Sequence, residues 1–212
     1  MKTAIVQFDS RPFDALGLMP FLLQRNKAYA ARHGYAYHYL NTPSVDLPVY
    51  WLKPHIVRQL LGAYDLVAWV DTDAVFHDLE RKIEPLFEGS EIMVGAGDNP
   101  YWATPLNTGV FFVKAAGGRG AALMQRWSDL FAGTAWTRTA EAWVCDTEWA
   151  GADFEQGAFN LHLTDELVQS GDLRLTDWQT LQSPFPLARS FTLHFAGRFK
   201  MNLPAYMDII AQ

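Results

Sequence analysis

Five apolar residues, Leu66-Val67-Ala68-Trp69-Val70, run directly into Asp71-Thr72-Asp73, and the chain turns apolar again at Ala74-Val75-Phe76. An apolar run of this length between polar neighbours reads as a buried strand. It ends in two carboxylates with one residue between them. At a strand end the strict alternation of side chains lapses, so both carboxylates can reach one ion, directly or through water. Hard oxygen ligands of this kind suit Mg²⁺ or Mn²⁺, with phosphate oxygens completing an octahedral shell. A D-x-D can equally be a pair of solvated turn residues. The strand before it and the immediate return to apolar sequence favour the functional reading.

The rest of the chain sets this strand in an alternation of strands and helices. Residues 3–8, 35–40, 92–96, 110–113, 173–175 and 191–195 read as strands, and 15–33, 51–61, 120–131, 155–161 and 204–211 as helices. Gly34 is placed to stop the first helix, and Pro54 is tolerated in the first turn of the second. The alternation predicts an α/β sandwich around a largely parallel central sheet. In such sheets the ligand sits outside the carboxyl ends of the strands, which is where the D-x-D stands. No repeat, linker or low-complexity tract divides the 212 residues, half of them hydrophobic, so a single domain over 1–212 with a substantial core is expected.

Composition removes several function classes. The formal charge of −6 comes without a basic stripe, which argues against nucleic acid as a partner. An acidic protein that binds a diphosphate must supply positive charge locally, through a metal ion or a few placed cations. The single cysteine, Cys145, excludes an intramolecular disulfide and a cysteine-based zinc cluster. No apolar run approaches membrane-spanning length. The opening MKTAIVQFDSRPFD meets Asp9 too early for a signal peptide and reads as a first buried strand. A cytoplasmic protein is therefore expected.

A second chemical pattern lies near the C-terminus, where Phe191-Thr192-Leu193 leads into His194-Phe195-Ala196-Gly197-Arg198-Phe199-Lys200. A histidine at a strand end can give a nitrogen to a metal. Gly197 lets backbone approach a phosphate closely, and Lys200 offers it a point charge. A lone histidine is more often a core residue. H-x-x-G-x-x-K downstream of a D-x-D reverses that balance. The remaining histidines, at 33, 38, 55, 77 and 162, have no ligand spacing and read as structural.

Taken together these residues resemble the GT-A glycosyltransferases. His194, Gly197 and Lys200 look like the C-terminal H-x-x-G-x-x-K of glycogenin-like enzymes. Tyr50-Trp51-Leu52-Lys53-Pro54, followed by Trp69-Val70-Asp71-Thr72-Asp73-Ala74, is similar to the family of yeast α-mannosyl- and α-galactosyltransferases and plant xyloglucan xylosyltransferases. In that family a W-x-K helix precedes W-W-x-D-S-D-A. Asn107-Thr108-Gly109-Val110-Phe111-Phe112 resembles its N-T-G-x-F-L strand, and Asp153-Phe154-Glu155-Gln156-Gly157-Ala158 its D-D-Q-x-A segment. The motifs fall in the family's order. Three features depart from it: Phe154-Glu155 stands where the acidic pair belongs, Thr72 replaces Ser, and the membrane anchor of the eukaryotic members is missing, as in a bacterial-type cytoplasmic enzyme.

The resemblance implies a GT-A type, single Rossmann-like α/β/α domain with a mixed, mostly parallel central sheet, its donor-binding half over about 1–115 and its acceptor-side half over about 116–212. It implies a metal-dependent enzyme, using Mn²⁺ or Mg²⁺, that moves a sugar from a nucleotide-diphosphate donor, a UDP-sugar foremost, to a glycan or other hydroxyl acceptor with retention. Asp71, Asp73 and His194 would hold the metal. Gln7, Lys53, Thr72, Asn107, Thr108, Gly197 and Lys200 would serve the donor, with Gln7 near the base and Gly197 and Lys200 on the phosphates. Gln156 would lie beneath the anomeric carbon, with Glu155 or Asp153 orienting the acceptor hydroxyl. Acceptor choice would reside in loops around 98–106 and 133–152, where Trp102, Trp136, Trp143 and Trp149 offer faces for sugar stacking.

Three other readings compete. A sugar-phosphate nucleotidyltransferase carries a Gly-rich basic loop after its first strand, but here Phe8-Asp9-Ser10-Arg11-Pro12 has one arginine and no glycine. A non-catalytic nucleotide-sugar-binding relative would keep the fold, and the altered segment before Gln156 is compatible with one. A metal-dependent phosphohydrolase would release phosphate without an acceptor.

Overall fold

The computed structural model describes residues 1–102 and 104–210. In chain order the strands and helices are β1 (Thr3–Phe8), α1 (Met19–His33), β2 (Ala36–Leu40), α2 (Leu52–Leu60), β3 (Leu66–Val70), β4 (Ala74–Phe76), β5 (Met93–Ala96), β6 (Asn107–Lys114), α3 (Arg119–Asp129), β7 (Thr137–Arg138), β8 (Trp143–Val144), α4 (Glu155–His162), α5 (Thr164–Gln169), β9 (Leu173–Thr176), α6 (Trp178–Leu181), β10 (Thr192–His194) and α7 (Leu203–Ile210). Six strands form the central sheet in the order β2-β1-β3-β6-β5-β9. The β1–β2, β1–β3 and β5–β9 pairings are parallel, whereas β6 runs antiparallel to both neighbours. The sheet is mixed, and β6 is its one reversed strand.

The central strands alternate between two cores. Val6, Val67, Trp69, Phe111 and Val113 face a cluster built with Leu52, Ile56, Leu123, Trp127 and Phe159, from α2, α3 and α4. Ile5, Ala68, Val70, Val110 and Phe112 face the other cluster, with Tyr29 of α1, Leu181 of α6 and Phe191. Burial on both faces explains why β3 is apolar at every position instead of alternating with polar residues. A third cluster joins Met19, Leu22 and Leu23 of α1 to Val75, Leu193, Leu203 and Tyr206. It roofs the D-x-D end of the sheet.

Local signals set several boundaries. α1 ends at His33 because Gly34 adopts the left-handed conformation, φ 69°, with its N–H directed at the carbonyls of Ala30 and Ala31. The helix expected from residue 15 starts at Met19. A separate 3-10 turn covers Phe13–Leu16, and Gly17 at φ 59° breaks the path between them. The strand expected over 110–113 starts at Asn107, so Asn107-Thr108-Gly109 lies inside β6. The closing helix begins at Leu203, and the expected end at Ala211 lies outside the described residues. Among the described residues no helix is long and apolar enough to cross a membrane.

Directly after Asp73 the chain forms β4, which leaves the main sheet and pairs antiparallel with β10, His194 opposite Ala74. On the side of α1, Asn26 acts as a surrogate strand. Its Nδ2 donates to Ala74 O at 2.9 Å and its Oδ1 accepts from Phe76 N at 2.9 Å. Asn26 is fully buried, so removing its amide strands two main-chain groups. Asn26→Ala is expected to lower unfolding free energy by about 2–4 kcal/mol, read as a shifted midpoint in urea. A loss below about 0.5 kcal/mol would mean that β4 does not depend on this residue.

Candidate functional site

The Asp71-Thr72-Asp73 turn is tied down at every residue. Asp71 N donates to Gly109 O at 2.7 Å, and Phe195 N donates to Asp73 O at 2.9 Å. Asp71 O accepts from Gln7 Nε2 at 3.1 Å. Thr72 Oγ1 donates to Asp9 Oδ2 at 2.7 Å, and the Asp9 carboxylate also holds Arg11 in an ion pair of 2.6 Å. Gln7 is fully buried, with Oε1 accepting from Asn26 and Tyr37. Its side chain supports the turn from below.

The β4–β10 pairing sets His194 beside this turn. One oxygen or nitrogen from each of Asp71, Asp73 and His194 lies within 4.8 Å of the others. His194 Nε2 is 3.3 Å from Asp73 Oδ1, and Lys200 Nζ is 3.0 Å from Asp73 Oδ2. Asp71 Oδ1 accepts from Trp69 Nε1 at 2.6 Å and faces Lys53 Nζ at 3.4 Å, leaving Oδ2 without a partner among the described residues. Two carboxylates and an imidazole this close fit a divalent cation, whose charge would balance the pair.

The charges respond to one another. Burial opposes ionisation of Asp73, but the His194 hydrogen bond and charge and the Lys200 ammonium outweigh it and hold the carboxyl well below the usual range. Burial pushes Asp71 the other way, up, with Lys53 opposing and Asp73 adding to the rise. Burial alone would lower His194, yet Asp73, Asp71 and Asp98 raise it above the ordinary imidazole value.

Gly109 makes room for the histidine. A Cβ at this position would lie 2.1 Å from His194 Cε1 and 2.6 Å from Nδ1. An isolated glycine among bulky apolar residues signals a close approach, so the N-T-G segment carried a readable cue. Gly197 has φ 53° and lies against Trp102, whose ring is 3.7 Å from where its Cβ would be. Arg198 lies over the rings of Tyr101, Trp102 and Phe199.

Lys53, 7% exposed, joins the two halves of the sequence pattern. Its Nζ donates to Thr108 O and pairs with Glu155 Oε1, both at 3.0 Å, besides facing Asp71. Burial disfavours the ammonium, but Asp71 and Glu155 together raise its pKa. Gln156 Oε1 accepts from Thr108 N at 2.9 Å. Gln156, Glu155, Lys53, Thr108 and Asp71 thus form one connected group. Asn107 sits just outside it, with Nδ2 on Asp98 and Oδ1 on Gly109 N. Asp153 is turned away: its Oδ1 accepts from Ala135 N, and its carbonyl takes the indole N–H groups of Trp51 and Trp136. Asn26, Tyr37 and the Asp9–Arg11 pair complete the site and had no motif to announce them, nor did Gln182, whose Oε1 lies 2.7 Å from His194 Nδ1.

The sequence profile of the galactosyl transferase GMA12/MNN10 family matches residues 7–95, a stretch that holds Gln7, Lys53, Asp71 and Asp73. No curated protein matches the chain in sequence. In structure it is similar to a glycosyltransferase involved in the glycosylation of the major capsid of PBCV-1, with TM-score 0.72 and 15% identity over 99% of this chain and 100% of that one. The glycosyltransferase GlyE of Streptococcus pneumoniae TIGR4 gives TM-score 0.57 and 12% identity over 98% of this chain and 64% of that one. The catalytic domain of Drosophila β1,4-galactosyltransferase 7, solved with xylobiose, gives 0.50 and 12% over 94% and 73%. At these identities the structural likeness is one of fold, the GT-A fold.

Gly109→Ala is expected to leave a folded protein whose Mn²⁺ affinity falls on the order of 10- to 100-fold, because the added methyl displaces the His194 ring. Calorimetry on the variant decides it, and unchanged affinity would separate His194 from ion binding. Proton competition gives a second expectation. The raised His194 and Asp71 pKa values would both keep candidate ligand atoms protonated as pH falls. Mn²⁺ affinity should therefore weaken by about tenfold per pH unit below the histidine's titration and level off above it. A flat profile through that range would exclude His194 as a ligand.

Proposed function

We propose that this chain, a glycosyltransferase by its family match and its fold, transfers a sugar from a nucleotide-diphosphate donor, a UDP-sugar foremost, to a saccharide or other hydroxyl acceptor in a metal-dependent reaction with retention of configuration. The observation that carries this reading is the convergence of Asp71, Asp73 and His194, with Lys200 on the same carboxylate. A divalent ion held there supplies positive charge against the diphosphate leaving group. The donor half is read as about 1–115 and the acceptor side as about 116–212.

Lys200 is 42% exposed at its side chain and can turn from Asp73 toward a phosphate that enters beside it. Gly197, with φ 53°, opens the short 3-10 helix Gly197–Asn202 that carries Lys200. Lys53 acts from within: it holds Asp71 Oδ1 and Glu155 while Trp69 takes a second bond to Asp71 Oδ1, which leaves Oδ2 as the oxygen without a partner among the described residues. Glycosyl transfer develops positive charge on the sugar ring. Gln156 is half-buried and its Oε1 accepts from Thr108 N; the second lone pair of that oxygen is what this reading offers to the ring, an amide oxygen in place of a carboxylate. Neither preceding acid stands as a free nucleophile, since Glu155 is paired with Lys53 and Asp153 faces Ala135. A covalent glycosyl-enzyme is not part of this reading.

Calorimetric titration of UDP and GDP, with Mn²⁺ and with excess chelator, tests the donor site directly. Metal-dependent binding of one nucleotide supports the proposal and names the base. No binding of either nucleotide to folded protein would turn the assignment toward a non-catalytic relative. Gln156→Ala should keep nucleotide affinity and lower turnover by about 10- to 1000-fold, the loss of ~1.4–4 kcal/mol of transition-state stabilisation. Loss of nucleotide binding in that variant would move Gln156 from the reacting face to the donor site. The anomeric configuration of the product, read by NMR, tests retention.

A further inference from the structure

Gln182 follows α6 and is 1% exposed. Its Nε2 donates to the carbonyls of Asn107 at 3.3 Å and Val110 at 3.2 Å, both in β6. With its two N–H groups spent on these carbonyls, the amide has only its oxygen to offer in the other direction. That oxygen lies 2.7 Å from His194 Nδ1. An amide oxygen can only accept, so the proton of a neutral imidazole must sit on Nδ1. The lone pair is then left on Nε2, the nitrogen that faces Asp73.

The residues on either side of Gln182 fasten the same strand. Thr192 Oγ1 donates to Leu181 O at 2.7 Å, and His194 N donates to Ser183 O at 2.9 Å. Leu181-Gln182-Ser183 therefore grips β10 at three consecutive points, two through its backbone and one through the Gln182 side chain. Gly109 bounds the ring from the β6 side. The backbone contacts alone would place the strand but would leave both ring nitrogens free to carry the proton.

We propose that Gln182 is a positioning residue that fixes the Nδ1–H tautomer and the direction of the His194 ring, so that Nε2 is the nitrogen offered to a divalent ion. The inference rests on the reading of Asp71, Asp73 and His194 as the ion site. A ligating imidazole commonly has its other nitrogen held by a partner that sets orientation and basicity. Here the partner is a neutral amide, which orients the ring without adding a further carboxylate beside Asp71 and Asp73.

The test is long-range ¹⁵N NMR of histidine-labelled, metal-free protein above the pH at which the ring loses its proton, with the resonances assigned through a His194→Gln variant. Wild type should show the Nδ1–H tautomer. Gln182→Met should lose that single tautomer, and its affinity for Mn²⁺, alone and with UDP, should fall on the order of 10- to 100-fold. Gln182→Glu, which keeps an acceptor at Nδ1 although it loses the two donors to the β6 carbonyls, should hold the Nδ1–H tautomer that Gln182→Met loses. An Nε2–H tautomer in the wild type overturns the proposal whatever the variants do. So does a folded Gln182→Met protein with the wild-type tautomer and affinity. A wild type that shows Nδ1–H yet takes no Mn²⁺ with or without UDP overturns the ion site itself, which tells the two failures apart.

Discussion

A three-residue antiparallel ladder between β4 and β10 holds the candidate site together. β4 begins one residue after the second carboxylate, and β10 ends on the histidine. Pairing Ala74 with His194 therefore sets imidazole against carboxylate without any long side chain having to reach. The ladder is short, and its stability comes from what surrounds it: Asn26 on the free edge of β4, the Leu181–Ser183 strap on β10, and the roof of Val75, Leu193, Phe195 and Tyr206. Strand pairing alone over three residues would not persist in water.

The electrostatics follow from this close packing. Asp71, Asp73 and Glu155 gather with Lys53, Lys200 and His194 in a largely enclosed place. Carboxylates this close repel one another, and each cation is placed to serve more than one of them or to serve one that a ligand can take over. Lys53 bridges Asp71 and Glu155 and is enclosed, so its role is fixed. Lys200 is more exposed and holds only Asp73, so under the proposed function it is the cation free to turn toward a phosphate. Exposure, more than charge, separates the two lysines.

Much of this was legible in the sequence, and for identifiable reasons. Leu66–Val70 was readable because burial on both faces leaves an uninterrupted apolar run, and its bounds match those observed. Asp71, Asp73, His194 and Lys200 were readable because charged or ligating residues stood where a strand ended. Gln182, Asn26 and Tyr37 were not. Each is a single polar residue whose meaning is a contact with a distant segment, and neither periodicity nor local spacing carries that information. Gln7 shows the complementary limit. It stands near the end of β1 beside the Asp71 turn, but only the hydrogen bonds to Asp71, Asn26 and Tyr37 show that its side chain is spent inside the protein. The short β7–β8 hairpin, largely exposed, lacks the apolar pattern that marks a buried strand.

The lateness of β10 in the chain has a consequence for biosynthesis. The sheet strands β1, β2, β3, β5 and β6 are all translated well before residues 192–194, so most of the scaffold can assemble while its last segment is still to come. During that interval β4 has Asn26 on one side and a vacant hydrogen-bonding edge on the other. An open edge beside apolar Val75 and Phe76 is the kind of surface that captures stray strands from other nascent chains. Arrival of β10 closes the edge and delivers the histidine in the same event. A polypeptide released before that point would thus be both inert and adhesive, two defects with a single origin.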